Sequence, residues 1–292
     1  MTFTTYTGAG ELPFIRVENQ AASAVICLMG AHVTSFVPKG GEDLLFVSEK
    51  SEFTTEGPAI RGGVPVCWPW FGAPDKTLLP NAVKAHGFAR QCIWQLTGTE
   101  EIDEKTSRLV LELTEDEKTL HLWPHAFTLK MEITVSEALE MKLTTINSGN
   151  EEFTFSQALH TYFAVGDIRR VSVCGLDGLD YIDKAPQAAS PRGHQQGDIL
   201  FTGETDRIYL HAPGETVIDD PSMARKIVIT KENSDTAVVW NPWIAKAQRM
   251  ADFGDEEYTR MLCVEKCNVD YDSRTLKPGE AHTITAAIKE IR

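Results

Sequence analysis

The dominant pattern in this 292-residue sequence is an alternation of apolar and polar side chains with a period of two. The alternation is clearest in 107–116, 127–136 and 139–148, and turn-forming groups such as 147–150 and 277–279 separate segments of this kind. A period of two is typical of half-buried strands, whose successive side chains point to opposite faces of a sheet. No amphipathic helix of three or more turns is predicted. Strands at intervals of roughly 8–12 residues favour an all-β sandwich or barrel.

Further segments rich in β-branched and aromatic residues extend this pattern to the C-terminus. They are 153–165, 207–212, 226–232, 236–241, 260–269 and 282–291. No internal repeat or low-complexity linker divides the chain, so residues 1–292 are predicted to form one large β domain. The irregular stretch 183–203 is predicted to be a long surface loop, a feature that often carries function in compact β domains.

The charge of the chain restricts its partners. Its 28 basic and 42 acidic residues give a formal net charge of −14. Without any run of lysine or arginine, such a chain repels nucleic acid and anionic membrane surfaces. It would also repel a small anionic substrate, unless arginines are gathered locally at one site.

The sequence also carries expectations about location and assembly. The opening residues have neither a basic leader nor an apolar core, so no signal peptide is expected. The most apolar segment, 24–31, is far shorter than the ~20 residues that span a bilayer. The six cysteines include no CxxC pair and are expected to be reduced thiols. We expect a cytoplasmic protein and, because no dimer interface is signalled, a monomer.

The segment 60–72, IRGGVPVCWPWFG, is the most unusual in the chain. Its paired glycines, Gly62 and Gly63, permit positive φ or a close approach of the backbone. Trp68 and Trp70 either pack into one end of the sandwich or offer flat faces to a sugar ring. Because aromatic side chains mostly serve packing, we favour the first interpretation.

Two arginines lie beside glycines within a short distance in sequence. Arg61 precedes the glycine pair, and Arg90 ends the motif AHGFAR, in which His86 lies four residues earlier. A guanidinium group next to a tightly turning backbone suits a phosphate, because its N–H groups match the oxygens of an oxyanion. These two arginines would form a local positive site in a chain whose net charge is strongly negative.

His160 and Glu265 each lie within an apolar strand segment. Alternation places Leu159 and Val264 on the faces opposite to them. Either both side chains simply face water, or both point into one pocket as an acid/base pair with reference pKa values of ~6.5 and ~4.3. The second arrangement suits a reaction that needs simultaneous donation and removal of a proton.

No metal site is predicted. His121 and His125 have the spacing of a helical metal-binding pair, but Pro124 between them breaks a helix, and no nearby glutamate completes a ligand set. The phosphate-binding loop, the dinucleotide-binding loop and the nucleophile elbow are also absent from the sequence.

Six motifs together resemble those of one known family. In chain order they are RGGVPVCWPWFG, AHGFAR, ALHTYF, TDRIYL, WNPW and CVE. Their order and spacing resemble the hexose-6-phosphate mutarotases (glucose-6-phosphate 1-epimerases) of the aldose 1-epimerase superfamily, from about residue 24 to the C-terminus. The resemblance implies a galactose-mutarotase-type β-sandwich that interconverts the α and β anomers of a hexose 6-phosphate without metal or organic cofactor.

The resemblance also implies roles for particular residues. Glu265 would remove the proton from the anomeric O1 hydroxyl, and His160 would protonate the ring oxygen. The residues implied in substrate binding are Arg61 and Arg90, which would hold the substrate and its phosphate, Asp206, which would contact sugar hydroxyls, and His86.

Three other functions stay open at this point. A mutarotase for unphosphorylated aldoses would keep His160 and Glu265 but has less use for the arginines. A glycoside hydrolase needs two carboxylates on either side of the scissile bond, for which Asp206 and Glu265 are available. A carbohydrate-binding module would use the aromatic side chains alone.

Overall fold

The computed structural model describes residues 2–292, which form mainly antiparallel β-sheet. The strands up to the middle of the chain are β1 (Phe3–Thr7), β2 (Pro13–Glu18), β3 (Ala22–Cys27), β4 (His32–Pro38), β5 (Val66–Cys67), β6 (Gln95–Asp103), β7 (Thr106–Thr114), β8 (Phe127–Val135), β9 (Ala138–Asn147), β10 (Phe153–Phe155), β11 (Gln157–Leu159) and β12 (Tyr162–Ala164).

The remaining strands are β13 (Ser172–Cys174), β14 (Asp180–Asp183), β15 (Arg192–His194), β16 (Ile199–Leu200), β17 (Thr205–Tyr209), β18 (Glu215–Asp220), β19 (Arg225–Glu232), β20 (Thr236–Asn241), β21 (Met261–Asn268), β22 (Arg274–Leu276) and β23 (Ala281–Ile291). Two short α-helices are also present, α1 (Glu117–Leu122) and α2 (Trp243–Ala247). Neither helix in the described part of the chain is long and apolar enough to span a membrane.

Two large sheets dominate the architecture. A nine-stranded sheet has the order β16-β13-β18-β19-β23-β9-β8-β7-β6. An eight-stranded sheet has the order β15-β14-β17-β20-β21-β11-β5, and β12 also pairs with β21. Smaller sheets are formed by β1 to β4 and by β10 with β22. Apolar residues from both large sheets share one core, so the predicted β-sandwich is confirmed.

The predicted alternation is visible in the packing of the nine-stranded sheet. Strands β8 and β9 bury every second side chain, and the intervening residues are partly exposed. Strands β20 and β21 of the eight-stranded sheet, in contrast, are buried along their whole length. One face of β21 packs toward the nine-stranded sheet, where Lys266 reaches Thr216 of β18. The other face presents Glu265 to a cavity.

The segment 153–165, predicted as one strand, is divided into β10, β11 and β12. The second interruption falls at His160 and Thr161, between two strands that both pair with β21. The His160 backbone N–H donates to the carbonyl of Pro65 at 3.0 Å, which continues the antiparallel register of β11 with β5 by one residue, but Pro65 has no N–H to return a bond. The break therefore lies at a predicted catalytic residue.

The segment 60–72 is mostly irregular and contributes only the edge strand β5. Gly62 and Gly63 have φ of +128° and +59°, and a Cβ on Gly62 would lie 2.3 Å from the Phe46 carbonyl oxygen. Only glycine therefore fits this close approach of two backbones. Trp68 and Trp70 are both buried, and Trp68 packs on Phe127 with ring centroids 4.5 Å apart. The interpretation of the two tryptophans as packing residues is confirmed.

The stretch 183–203 is not wholly irregular, because the short strands β15 and β16 lie within it. Strand β15 pairs with β14 and extends the edge of the eight-stranded sheet. Lys184, at the start of this stretch, is exposed and lines the same cavity as Glu265.

Candidate active site

A cavity of about 720 Å³ opens on the outer face of the eight-stranded sheet. Five of the six residues singled out in the sequence line it: Arg61, His86, His160, Asp206 and Glu265. The structure thus brings together side chains from the two glycine-rich segments, from β17, from β21 and from the break before β12. This is the size of cavity in which small molecules are commonly bound.

His160 and Glu265 lie side by side in the wall of the cavity. His160 Nε2 lies 3.4 Å from Glu265 Oε1, and Glu265 is only 1% exposed. Glu265 points away from the sandwich core because Lys266 and Val264, its neighbours on β21, occupy the opposite face. The alternative that both side chains face bulk water is wrong.

Burial shifts the pKa values of this pair in opposite directions. It lowers the pKa of His160 well below its usual value, and the neighbouring His86 ring and the charges of Arg90 and Arg61 act in the same direction. Burial also raises the pKa of Glu265 well above its usual value, and the nearby Asp206 carboxylate adds to this effect. Both shifts favour the uncharged form, since little water is present to solvate either charge.

The described residues do not satisfy all the hydrogen-bonding atoms of the His160–Glu265 pair. Within residues 2–292, His160 Nδ1 and Glu265 Oε2 have no hydrogen-bond partner although both atoms are buried. An unpaired buried polar group is costly unless a ligand or water satisfies it. These two atoms are therefore available to a polar ligand in the cavity.

His86 presents a neutral ring to the same cavity. Its Nδ1 accepts a hydrogen bond from the Gly72 backbone N–H at 3.2 Å, which leaves the proton on Nε2. Burial, together with the charges of Arg90 and Arg61, lowers the pKa of His86 to about 3. The backbone of His86 is held at φ +63°, where its own N–H donates to the Gly72 carbonyl at 2.8 Å. His86 can thus donate a hydrogen bond from Nε2 but does not take up a second proton near neutral pH.

Asp206 lies on β17 at the wall of the cavity. Lys246, from α2, places its Nζ 3.5 Å from Asp206 Oδ2 and 3.2 Å from Glu204 Oε1. Burial raises the pKa of Asp206, and the Lys246 charge opposes that shift. A carboxylate and an ammonium group side by side can bind hydroxyl groups both as acceptor and as donor.

The two arginines meet at a second, smaller depression of about 390 Å³. Arg61 lines both this depression and the main cavity, whereas Arg90 lines only the depression, together with Lys84 and Ala85. Arg90 Nη2 donates to the Ala85 carbonyl at 2.8 Å, and its buried Nε has no partner among the described residues. The arginines thus border a common space although Arg90 lies outside the main cavity.

Several residues of the cavity were not singled out from the sequence. Trp240 lies edge-on to His160, with ring centroids 6.2 Å apart, and the Lys246 ammonium lies 5.5 Å from the Trp240 ring centroid. Tyr162 stacks on His160 with centroids 4.9 Å apart. Trp240 belongs to the motif WNPW and Tyr162 to the motif ALHTYF. Both motifs carry the family resemblance, and this was the signal in the sequence that pointed to these two residues. Nowhere in residues 2–292 are three or more His, Cys, Asp or Glu side chains grouped to hold a metal ion.

This fold is that of a sugar mutarotase. The model of the aldose 1-epimerase family matches residues 13–289, and the chain belongs to that family. It is therefore an enzyme of the isomerase class that acts on a sugar.

Individual relatives agree with this assignment. A protein of Escherichia coli (strain K12) named "Putative glucose-6-phosphate 1-epimerase" is 39% identical over 272 residues, which cover 93% of this chain and 88% of the relative. The crystal structure of a protein from Salmonella typhimurium is described as that of "a putative mutarotase". That protein is 33% identical to this chain, and the match covers 100% of this chain and 94% of the other, with a TM-score of 0.90. A galactose mutarotase-like protein from Clostridium acetobutylicum, 16% identical, covers 99% of this chain and 98% of its own with a TM-score of 0.76, and shares the fold.

Proposed function

We propose that this enzyme interconverts the α and β anomers of a hexose 6-phosphate, with glucose 6-phosphate as the first candidate. The observation that carries the proposal is the placement of the buried His160–Glu265 pair in a cavity whose wall, at Arg61, continues into the arginine-lined depression. The printed names of the relatives support the same substrate.

The proposed reaction opens and recloses the sugar ring. Glu265 removes the proton from the O1 hydroxyl while His160 donates a proton to the ring oxygen, and this cleaves the bond between that oxygen and C1. Transfer of the pair's proton from Glu265 to His160, whose nearest polar atoms are 3.4 Å apart, supplies the carboxylate and the imidazolium that this step needs. Rotation about C1–C2 and reversal of both transfers then give the other anomer.

The other residues bind and orient the sugar. Asp206 and Lys246 are placed to contact ring hydroxyls, and His86 donates from its Nε2. The phosphate lies over the depression, where Arg90 and the N–H groups of Arg61 that the protein leaves free bind it. Binding at the phosphate, remote from C1, positions the reacting atoms without taking part in the proton transfers.

The pH dependence of the rate tests the state of the His160–Glu265 pair. Because the pKa of His160 is lowered, the acid limb falls below pH 6.5, and because the pKa of Glu265 is raised, the alkaline limb lies well above pH 4.5. We expect a bell-shaped dependence of kcat/KM on pH, with both limbs belonging to the pair as a whole. An acid limb at or above pH 6.5 would contradict a lowered pKa of His160, and an alkaline limb near pH 4.5 would contradict a raised pKa of Glu265.

The phosphate assignment is tested by comparing two sugars. We expect the enzyme to anomerise glucose 6-phosphate with a much higher kcat/KM than glucose. Arg90→Ala is expected to lower kcat/KM for glucose 6-phosphate by about 10–100-fold, since a hydrogen bond to a charged group contributes about 1.5–3 kcal/mol. The value for glucose is expected to change less than about threefold, because glucose lacks the phosphate. Polarimetry, or NMR exchange between anomers, measures both rates.

Arg108→Ala on β7 is the matched control, because Arg108 lines neither cavity and pairs with Glu100. Equal losses on both sugars in Arg90→Ala would make Arg90 a structural residue. A wild-type enzyme with no preference for the phosphorylated sugar would favour an unphosphorylated aldose as substrate.

A further inference from the structure

Asp252 binds Arg61 from a part of the chain that the motifs do not cover. It follows α2 in sequence and is 9% exposed. Its Oδ2 accepts hydrogen bonds from Arg61 Nε at 3.1 Å and from Nη2 at 2.9 Å. Two donors of one guanidinium on one carboxylate restrict the orientation of that group, and a charge-assisted contact of this length is strong. Arg61 is thus held in place before any ligand binds.

The fixed guanidinium in turn holds Tyr162. Arg61 Nη1 donates to the Tyr162 hydroxyl at 3.1 Å. The Tyr162 ring is stacked on the His160 ring, with an angle of 11° between the planes. A continuous set of contacts therefore runs from Asp252 through Arg61 and Tyr162 to His160.

His160 depends on this packing for its orientation. No hydrogen bond from the described residues holds its Nδ1, and its Nε2 lies 3.4 Å from Glu265, too far for a strong hydrogen bond. His86 and Trp240 meet the ring edge-on, at angles of 75° and 80°. Of the aromatic rings around it, only Tyr162 lies parallel to the imidazole. The plane of His160 is thus set by Tyr162.

We propose that Asp252 is a positioning residue for ring opening: through Arg61 and Tyr162 it fixes the plane of His160, and its carboxylate balances the Arg61 charge next to that ring. This inference rests on the proposed function, since His160 must be the group that exchanges a proton with the sugar. Asp252 itself touches neither His160 nor the reacting atoms.

The Asp252 carboxylate matters for the protonation of His160 because positive charges surround the His160 ring. The charged groups that act on its ring are Arg61 and Arg90, which lower its pKa, and the neutral His86 ring and the Glu265 carboxyl group also lie beside it. Asp252 is the carboxylate bonded to Arg61. Its removal leaves the Arg61 charge uncompensated and disfavours the imidazolium that protonates the ring oxygen.

The test uses Asp252→Asn and Tyr162→Phe in the full chain, with unphosphorylated glucose as substrate so that phosphate binding by Arg61 does not enter. Both variants are expected to lower kcat about tenfold or more and to change KM less than about threefold, because misplaced reacting groups cost rate rather than binding. Asp255→Asn is the matched control: it lies three residues away, is exposed and pairs with Lys50 at 3.8 Å. That variant is expected to keep the wild-type kcat.

A crystal structure of Asp252→Asn provides a readout that does not depend on activity. We expect the His160 and Tyr162 rings to lose their parallel arrangement, while thermal unfolding shows that the variant is folded at the assay temperature. An unchanged kcat or an unmoved His160 ring overturns the inference, even if the variant has a lower melting temperature. Failure of the proposed function is distinguished from this outcome, because it appears as absence of anomerisation of glucose 6-phosphate by the wild type.

Discussion

Glu265→Gln is expected to lower kcat for glucose 6-phosphate by about 10²–10⁴ while KM changes only several-fold. The amide keeps the shape of the carboxyl group but cannot take the proton from O1, and general acid–base catalysis contributes about this factor. The variant should fold normally. Because burial already favours the uncharged form of Glu265, an uncharged isostere removes no stabilising charge from the native state.

This loss is measured by NMR exchange between the two anomers, with melting temperature as the check on folding. His160→Gln is expected to give a loss of similar size, and the double variant a loss much smaller than the product of the two, since the pair acts as a unit. Glu232→Gln, an exposed position on β19, serves as the control. A Glu265→Gln enzyme within threefold of the wild-type rate would remove Glu265 from the mechanism.

The second large effect concerns stability rather than catalysis. Lys266 follows Glu265 on β21, is 1% exposed, and lies between the two large sheets, where its Nζ donates to Thr216 Oγ1 at 2.6 Å. Burial lowers its pKa to about 7, and the charge of Lys231 acts in the same direction. A charged ammonium in this position costs stability, because the surrounding core cannot replace its hydration.

The direction of the pH effect follows from proton binding. Between pH 7 and 10.5 the unfolded chain keeps the Lys266 proton while the native protein has lost it. The unfolded state then binds more protons, so this residue makes the free energy of unfolding rise with pH across that window, by about 1.4 kcal/mol per pH unit. Below pH 7 both states carry the proton, and the full penalty is present.

Lys266→Met is therefore expected to stabilise the protein at pH 6, by about 2–4 kcal/mol after the lost bond to Thr216 is subtracted. The gain should shrink by about 2–3 kcal/mol between pH 7 and pH 9, as the wild-type lysine becomes neutral in the native state. Urea unfolding at several pH values measures the difference between the two proteins, which cancels all other titrating groups.

Lys226→Met is the control for the stability experiment, because Lys226 lies on β19 but is exposed and pairs with Asp219 at the surface. An exposed pair of this kind contributes at most about 1 kcal/mol. A Lys266→Met protein that is less stable than the wild type at pH 6, or whose advantage does not vary with pH, would show that Lys266 carries no buried charge.

Much of the sandwich could be predicted because its signals are local. The alternation in β8 and β9 reports which side chains are buried, and the predicted segments 236–241 and 282–291 correspond to β20 and β23 nearly residue for residue. The catalytic candidates His160 and Glu265 were also named from the sequence, through motifs whose order resembles a known family. Periodicity alone left open whether they face water or a common pocket.

The same local signals failed where distant segments meet. The single strand predicted over 153–165 is broken at His160, where the register with β5 reaches Pro65, which has no backbone N–H to extend the ladder, and no periodicity encodes this pairing. The short strands β15 and β16 were predicted as loop, since two or three residues are too few to show a pattern. Trp68 and Trp70 could be assigned to packing with certainty only when their neighbours were known.

The sequence by itself determined the class of fold, the motifs of the family and the residue types available for proton transfer. Only the tertiary structure decided that Lys266 is buried between the sheets, that Arg90 lies beside the cavity rather than in it, and that Asp252 binds Arg61 across 191 positions of sequence. The physical reason is the range of the interactions. Strand alternation is set by neighbours along the chain, whereas burial, charge pairing and pKa depend on which distant surfaces the fold brings into contact.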